Sequence, residues 1–191
     1  MKRIIAALLT AGGILGASLL AVPVAQAADV FTLTSSAVQD NGILATKNAC
    51  NDKQRSPNCV GENISPPLAW SNVPDGSFAL VLVDPEGRAP AGVTHMVAYG
   101  ISADVKGFAE GELSKPSDKF VGGKSTMNQG VYFGTGPPPN ADWHHYTWTI
   151  VATDLDPKAL QPGMAREELA AALRDHVKGS AGLITHFRHP T

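Results

Sequence analysis

The sequence predicts a mainly β fold with one well-formed helix. Its 19 glycines and 14 prolines are spread between short apolar runs, a distribution typical of many short strands joined by turns. Three of these runs have the pattern of strands, and one stretch has helical spacing. No internal repeat, heptad run or low-complexity linker divides the chain after its N-terminal segment, so we expect one domain there.

Three strands follow from the apolar pattern. The first is the buried run 78–83, which stops at Asp84-Pro85. The second covers 94–101 and the third covers 146–152, and both alternate between two faces. In the second strand, alternation predicts one face made of His95, Val97, Tyr99 and Ile101, with Met96 and Ala98 opposite. In the third, it predicts one face made of His144, Tyr146, Trp148 and Ile150, with His145 on the opposite face toward solvent.

The predicted helix runs from about 166 to 178, where apolar residues recur at i, i+3, i+4, i+7 and i+8. Glu167 and Glu168 fall in its first turn, and Gly179 is available as its C-terminal stop. Because His176 falls on the apolar stripe, we expect it to be packed or at the boundary of the core.

The N-terminal segment has the pattern of a secretory signal peptide. Two basic residues precede an apolar run over 4–24, and Ala25-Gln26-Ala27 provides the small residues of a cleavage site. We predict removal of 1–27, which leaves 28–191 as a single domain, periplasmic or secreted, without a membrane span. The alternative is a retained anchor helix, since the apolar run approaches the length of a membrane span.

The charge balance argues against two classes of partner. The chain carries 17 acidic and 15 basic side chains, and two of the basic ones lie in the predicted signal peptide. This acidic excess argues against nucleic acid as a partner and against binding to a membrane surface through basic residues.

The only cysteines, Cys50 and Cys59, are close together in a polar stretch. An oxidising compartment favours a disulfide that closes this loop, and two free thiols or a metal pair are the alternatives. The loop is short, so we expect the bridge to fix a local conformation more than to hold the whole fold.

Titratable side chains stand at three strand ends. Asp84 and Glu86 follow the first strand, His95 begins the second, and His144 begins the third. If neighbouring strands bring these ends together, two imidazoles and one or two carboxylates converge. The alternative is that Asp84-Pro85 only makes a turn and that the histidines have no ligand.

A Gly/Pro-rich turn over 132–139 leads into the third strand. Such turns expose backbone N–H groups, and the imidazole of His144 and the phenol of Tyr146 would add donors for a small anion. No P-loop or G-x-S-x-G motif is present, and no activated nucleophile accompanies the histidines.

Two histidines near the C-terminus, His186 and His189, are expected in a solvated tail. Phe187 between them is a candidate pocket wall.

Three segments match one known pattern when they are taken together. The segment from Cys59 to Trp70 contains G-x-N-x-S-P-P-L-x-W, the first strand runs into Asp84-Pro85, and the block 132–146 reads Y-x-G-x-G-P-P…H-x-Y. In these segments the chain resembles the phosphatidylethanolamine-binding protein family, in particular its bacterial branch described as Raf-kinase-inhibitor-like. The resemblance covers nearly all of 28–191, and the block 132–146 is its most specific part.

The resemblance implies an antiparallel β-sandwich with one or two peripheral helices and an anion pocket at one end. Such a pocket accepts phosphate-like groups or the phosphoethanolamine headgroup. By matching position, the implied ligand-binding side chains are Asp84, Glu86, His95, His144 and Tyr146. The backbone wall of the pocket would consist of Gly134, Gly136 and Pro137.

The chain departs from the family pattern at the pocket rim. Glu86 replaces the second aspartate of the D-P-D-x-P motif, and Gly87-Arg88 are inserted after it, where Arg88 could add a cation at the mouth. His145 replaces the usual arginine of H-R-Y, which puts in doubt an ion pair made by that arginine. Met96 occupies a position where bacterial members often have an aromatic residue. The resemblance also makes Ala89-Pro90 a candidate cis peptide.

The resemblance implies a ligand-binding protein, without catalytic residues, cofactor or metal. An imidazole is partly charged near its ordinary pKa of about 6.5, so we expect anion affinity to rise as pH falls through that range. One alternative is a protein that inhibits a protease or engages a host or envelope partner. Another, less favoured, is an enzyme in which two histidines and a carboxylate hold a metal or act as acid and base.

Overall fold

The structure is a computed structural model that describes residues 29–190. The predicted signal peptide and its cleavage site lie outside these residues. The strands are β1 (Thr32–Thr34), β2 (Gly42–Ile43), β3 (Leu68–Ser71), β4 (Ser77–Asp84), β5 (Val93–Ile101), β6 (Gly107–Phe108), β7 (Val121–Gly122), β8 (His144–Thr153) and β9 (Val177–Phe187). Helix α1 covers Arg166–Leu173, and 3₁₀ turns cover Thr46–Asn48 and Glu112–Ser114. Within 29–190, no helix has the length and apolarity needed to span a bilayer.

The strands form a three-stranded sheet, β1-β3-β6, and a six-stranded sheet, β2-β9-β8-β4-β5-β7. Both sheets contribute to one buried core, for example Trp70 from β3 and Trp148 from β8. Helix α1 covers the other face of the larger sheet, where Leu169 and Leu173 pack against Val97 and Tyr99. The predicted antiparallel β-sandwich with a peripheral helix is therefore confirmed.

Strand β8 is central to the larger sheet and matches its predicted alternation. It pairs along its length with β4 and β9, both antiparallel. Tyr146, Trp148 and Ile150 are buried in the core between the sheets, while the intervening residues are only partly buried.

The predicted helix is too long at its C-terminal end. It stops at Leu173, and Val177 already belongs to β9, in which Gly179 pairs with Ala152 of β8 instead of ending a helix. The long ladder with β8 outweighs the helical spacing of these residues, because it pairs ten residues of β9 with β8. His176 is accordingly not packed in a core: its Nδ1 lies 2.7 Å from Asp154 Oδ1, and its side chain is 42 % exposed.

The predicted faces of β5 are wrong at both ends, because the strand contains two irregularities. The first shift in the register with β4 lies near Gly100, which has a φ of 64°. The second lies between two neighbouring pairs, Leu82 with Met96 and Val83 with Thr94. The second shift leaves His95 as an extra residue in β5, which is a β-bulge. Ile101 therefore packs in the core between the sheets together with Met96, and His95 packs against Tyr146 of that same face.

The prediction of a solvated tail is wrong for His186 and Phe187, which belong to β9, whereas His189 follows the end of that strand. His186 lies in β9 opposite His145, and the two imidazole centroids are 4.5 Å apart. Phe187 is buried in the core between the sheets, so it is not a pocket wall. Arg188 lies over the ring of Trp143 at 4.7 Å.

Candidate ligand-binding pocket

A pocket of about 350 Å³ opens where β4 ends and where β5 and β8 begin. The turn before β8 and the loop that carries the cysteines complete its walls. Six of the predicted ligand-binding residues are among those that line it. The lining consists of Cys50, Ser56, Asn58, Asp84, Glu86, Gly87, Arg88, Val93, His95, Met127, Phe133, Gly136, Pro137, Pro138, Ala141 and His144.

Asp84 is the buried carboxylate of the pocket, with 3 % of its surface exposed. Its Oδ1 accepts hydrogen bonds from the backbone N–H groups of Glu86 (3.0 Å) and Gly87 (2.9 Å). Its Oδ2 accepts a hydrogen bond from His144 Nδ1 at 2.8 Å. The carboxylate thus organises the turn after β4 and orients one imidazole.

His144 presents its second ring nitrogen to the pocket. Because Nδ1 donates to Asp84, Nε2 is the nitrogen left for a ligand, and the side chain keeps 12 % exposure. Within the described chain, Nε2 has no hydrogen bond to protein. A carboxylate that holds Nδ1–H also fixes the tautomer, which leaves a lone pair on Nε2 when the ring is neutral.

His95 reaches the pocket through the bulge in β5. Its Nδ1 donates to the Phe133 carbonyl oxygen at 2.7 Å, and the two rings stack with centroids 5.8 Å apart. Its Nε2 is buried, lies 4.0 Å from Asp84 Oδ2 and has no hydrogen-bond partner in residues 29–190. Burial lowers the pKa of His95 below its ordinary value. The expectation of a second imidazole partly charged near neutral pH is therefore wrong for His95.

We expect this buried neutral imidazole to make stability depend on pH. Below about 6.5, histidine is protonated in the unfolded chain but not in the folded protein, so stability falls as pH decreases. The loss is about 1.4 kcal/mol per pH unit from about 6.5 down to the lowered pKa, and it then levels off. Urea unfolding between pH 7.5 and 5 measures this slope. The variant His95→Gln should show a shallower slope, and an unchanged slope would contradict the assignment.

Tyr146 lies behind the pocket and not in its lining. Its ring packs edge-on against His95 at 5.3 Å and beside His144 at 6.5 Å between centroids. Burial, with a further contribution from the negative charge of Asp84, raises the pKa of its hydroxyl, which therefore stays protonated. The ring supports both imidazoles, and the hydroxyl is buried without a hydrogen-bond partner in residues 29–190, so its predicted contact with a ligand stays a prediction.

The Gly/Pro-rich turn shapes the pocket more than it supplies donors. Pro137 has no N–H group, and the N–H of Gly134 is already donated to Asn63 Oδ1 at 2.7 Å. A Cβ on Gly134 would lie within 2.6 Å of backbone atoms of 48–50, so this glycine allows a close approach of two loops and does not line the pocket. Gly136 and Pro137 do line it.

The rim carries a carboxylate and a cation. Both oxygens of Glu86 are bound by His145, through its backbone N–H (3.0 Å) and its Nδ1 (2.8 Å). Partial burial acts to raise the pKa of Glu86, but these hydrogen bonds outweigh it and lower the pKa. His145 faces solvent as predicted, and it binds Glu86 through hydrogen bonds at the position where the family pattern has arginine. Arg88 is exposed at the mouth.

A disulfide joins Cys50 and Cys59, as predicted. Both sulfur-bearing residues pack with Phe133, and the N–H of Cys50 donates to the Thr135 carbonyl at 2.8 Å. Through these contacts the bridge supports Phe133, whose carbonyl accepts the hydrogen bond from His95.

The Ala89-Pro90 bond is cis, as the resemblance implied.

Three side chains come close enough to be considered for a metal ion. Ligand atoms of Asp84, Glu86 and His144 lie within 4.8 Å of one another. The two carboxylates also accept hydrogen bonds from backbone and imidazole N–H groups. The three side chains therefore form one hydrogen-bonded network at the pocket.

A comparison with protein-family models identifies the family of the chain. The family model described as phosphatidylethanolamine-binding protein matches residues 34–188, which include every element that builds the pocket. The chain belongs to the phosphatidylethanolamine-binding protein family. The resemblance inferred from three sequence segments is thus confirmed.

Individual family members are similar over most of the chain. A UPF0098 protein of Methanothermobacter thermautotrophicus is 36% identical over 148 residues, which cover 73% of this chain and 95% of the relative. A Mycobacterium tuberculosis protein named as lipoprotein LppC is 34% identical over 135 residues, covering 68% and 62% of the two chains. The crystal structure of Escherichia coli YbcL has a TM-score of 0.72 at 22% identity and covers 83% of this chain and 98% of its own.

Sequence reasoning missed the residues that hold the pocket from behind. Asn63 accepts from Gly134 N–H and donates to the Tyr132 carbonyl at 3.1 Å, so it fastens the turn to the opening segment. Phe133 orients His95 through its carbonyl. Asn63 lies in the recognised segment 59–70 and Phe133 in the block 132–146, and the polar Asn63 close to Gly61 was the available signal.

Proposed function

We propose that the protein binds a small phosphorylated ligand of the phosphoethanolamine type in this pocket. The observation that carries the proposal is the pair formed by Asp84 and His144. A buried carboxylate holds Nδ1 of an imidazole whose Nε2 is left at the accessible side of the pocket. Membership of the family supports a ligand-binding role in general.

The remaining lining suits a headgroup in size and polarity. A volume of about 350 Å³ is in the range of small-molecule sites. Arg88 is the single lysine or arginine among the described lining residues, and it lies at the mouth, where it attracts an anion. Apolar walls from Val93, Met127 and Phe133 are compatible with the methylene groups of an ethanolamine ester.

We propose binding without chemical conversion of the ligand. The hydroxyl among the lining residues is that of Ser56, whose Oγ accepts from the N–H of Asn58. In the part of the chain that the structure describes, no histidine contacts this hydroxyl. An activated serine nucleophile requires such a base, so this arrangement supports a binding site.

We also propose that the protein acts after export, as a periplasmic or secreted protein. The disulfide between Cys50 and Cys59 fits an oxidising compartment. The N-terminal sequence has the signal-peptide pattern, and one relative is named as a lipoprotein.

Calorimetric titration with phosphoethanolamine tests the binding proposal. We expect saturable binding at one site, and His144→Ala should weaken it at least about tenfold, or about 1.4 kcal/mol. The matched control is His176→Ala, because His176 is a histidine in an ion pair beyond the opposite end of β8. Absence of binding by the wild-type protein, or equal binding by the His144 variant, would refute the proposal.

A further inference from the structure

At His95, the inner part of the pocket presents a hydrogen-bond acceptor to an anion. A carbonyl oxygen can only accept, so the 2.7 Å contact with Phe133 puts the proton of His95 on Nδ1 and leaves a lone pair on Nε2. Only 3 % of the His95 surface is exposed, and Nε2 has no partner in the described chain. A buried polar atom without a partner is costly, so this nitrogen is suited to receive a donor from a ligand.

The charged groups around His95 leave its Nε2 as an acceptor. Asp84, at the end of β4, is negative and lies 4.0 Å from Nε2. His144 of β8 faces the same carboxylate through its Nδ1, and the Tyr146 ring closes the side toward β8. At the rim, Glu86 is paired with His145, which leaves Arg88 at the mouth as the cation for a ligand.

An oxyanion without a proton would therefore meet a lone pair at His95 Nε2, whereas the neighbouring Tyr146 hydroxyl, which also has no partner in residues 29–190, can donate to another of its oxygens. A proton placed between one ligand oxygen and His95 Nε2 turns this contact into a hydrogen bond with a charged group, which is stronger than a neutral one. A phosphate monoester has a proton that ionises at a pKa of about 6, so it can bring one near neutral pH. A sulfate ester has no proton in this range.

We propose that the pocket binds its oxyanion together with one proton at His95 Nε2, and that it thereby selects phosphate monoesters over sulfate esters of the same shape. The proposal rests on the proposed function, because it concerns the same pocket and ligand class. It adds a criterion for the ligand, which is the capacity to carry a proton.

Two ligands with one skeleton test the selectivity: phosphoethanolamine and ethanolamine O-sulfate. Calorimetry at pH 7.5 should give an affinity at least about tenfold higher for the phosphate ester. Affinity for the sulfate ester should increase about tenfold for each pH unit from 8 down to 6.5, since binding takes up one proton. Titrations in two buffers of different ionisation enthalpy measure that uptake directly.

The variant His95→Gln tests whether the proton taken up on binding lies at His95. His95→Gln replaces the lone pair by an amide that can donate, so the ratio of the two affinities should fall toward one and proton uptake should disappear. His176→Gln is the control, and it should keep both the ratio and the uptake. If His95→Gln does not fold, ¹⁵N NMR of the wild-type imidazoles replaces it: Nε2 of His95 should become protonated when the sulfate ester binds.

The outcomes separate this inference from the proposed function. Equal affinities for the two esters without proton uptake would overturn the inference and leave phosphate binding intact. Proton uptake that persists in His95→Gln, or an Nε2 of His95 that stays unprotonated, would overturn the assignment to His95. If neither ester binds, the proposed function and the inference both fail.

Discussion

Replacement of Asp84 by alanine is expected to lower the free energy of unfolding by about 3 kcal/mol and to abolish detectable binding of phosphoethanolamine. The carboxylate accepts hydrogen bonds from the N–H groups of Glu86 and Gly87 and from His144 Nδ1. Its removal leaves these donors without a partner at a site that is 3 % exposed. Urea unfolding and calorimetry measure the two losses.

Two further variants control for this result. Asp84→Asn keeps an oxygen for the two backbone N–H groups, so we expect it to lose less than about 1 kcal/mol if the amide oxygen takes the Oδ1 position. Asp154→Ala removes an exposed carboxylate that also binds a histidine, and it should cost about 0.5 kcal/mol or less. Equal destabilisation by Asp84→Ala and Asp154→Ala would show that the network around Asp84 does not stabilise the fold.

Removal of the disulfide by Cys50→Ala with Cys59→Ala is expected to cost about 3 kcal/mol. The sequence separation of 9 residues gives roughly this value from the entropy of loop closure in the unfolded chain. Ligand affinity should also fall, because Cys50 lines the pocket and the bridge packs on Phe133. Urea unfolding of the variant and of the wild-type protein measures the stability difference.

A reducing agent provides the internal control for the disulfide. The reducing agent should lower the urea midpoint of wild-type unfolding to nearly that of the double variant. The urea midpoint of the double variant itself should not change. A loss below about 1 kcal/mol would mean that the loop is held by other contacts, such as the hydrogen bond from Cys50 N–H to the Thr135 carbonyl.

The sequence was sufficient to predict strands β4, β5 and β8 and six of the residues that line the pocket. Apolar alternation located β8 and the side of it that carries His144, because one face of this strand is buried and the other is not. Turn residues after β4 indicated Asp84. These are local signals, and each depends only on residues a few positions apart.

Features that depend on distant residues were not predictable in this way. Strand β9 contains Gly179 and Gly182 and only a short apolar alternation, so its pairing with β8 decides its structure. The bulge that turns His95 toward the pocket arises from the register between β4 and β5. The lowered pKa of His95 follows from that burial, which composition and spacing do not reveal.

The position of β9 has a consequence for truncation of the chain. Residues Thr185, His186 and Phe187 pair with the start of β8, where His144 lies. Without these residues, the start of β8 has one unpaired edge and the pocket lacks its support on that side. A chain cut before Thr185 should therefore lose the binding site before it loses the rest of the sandwich.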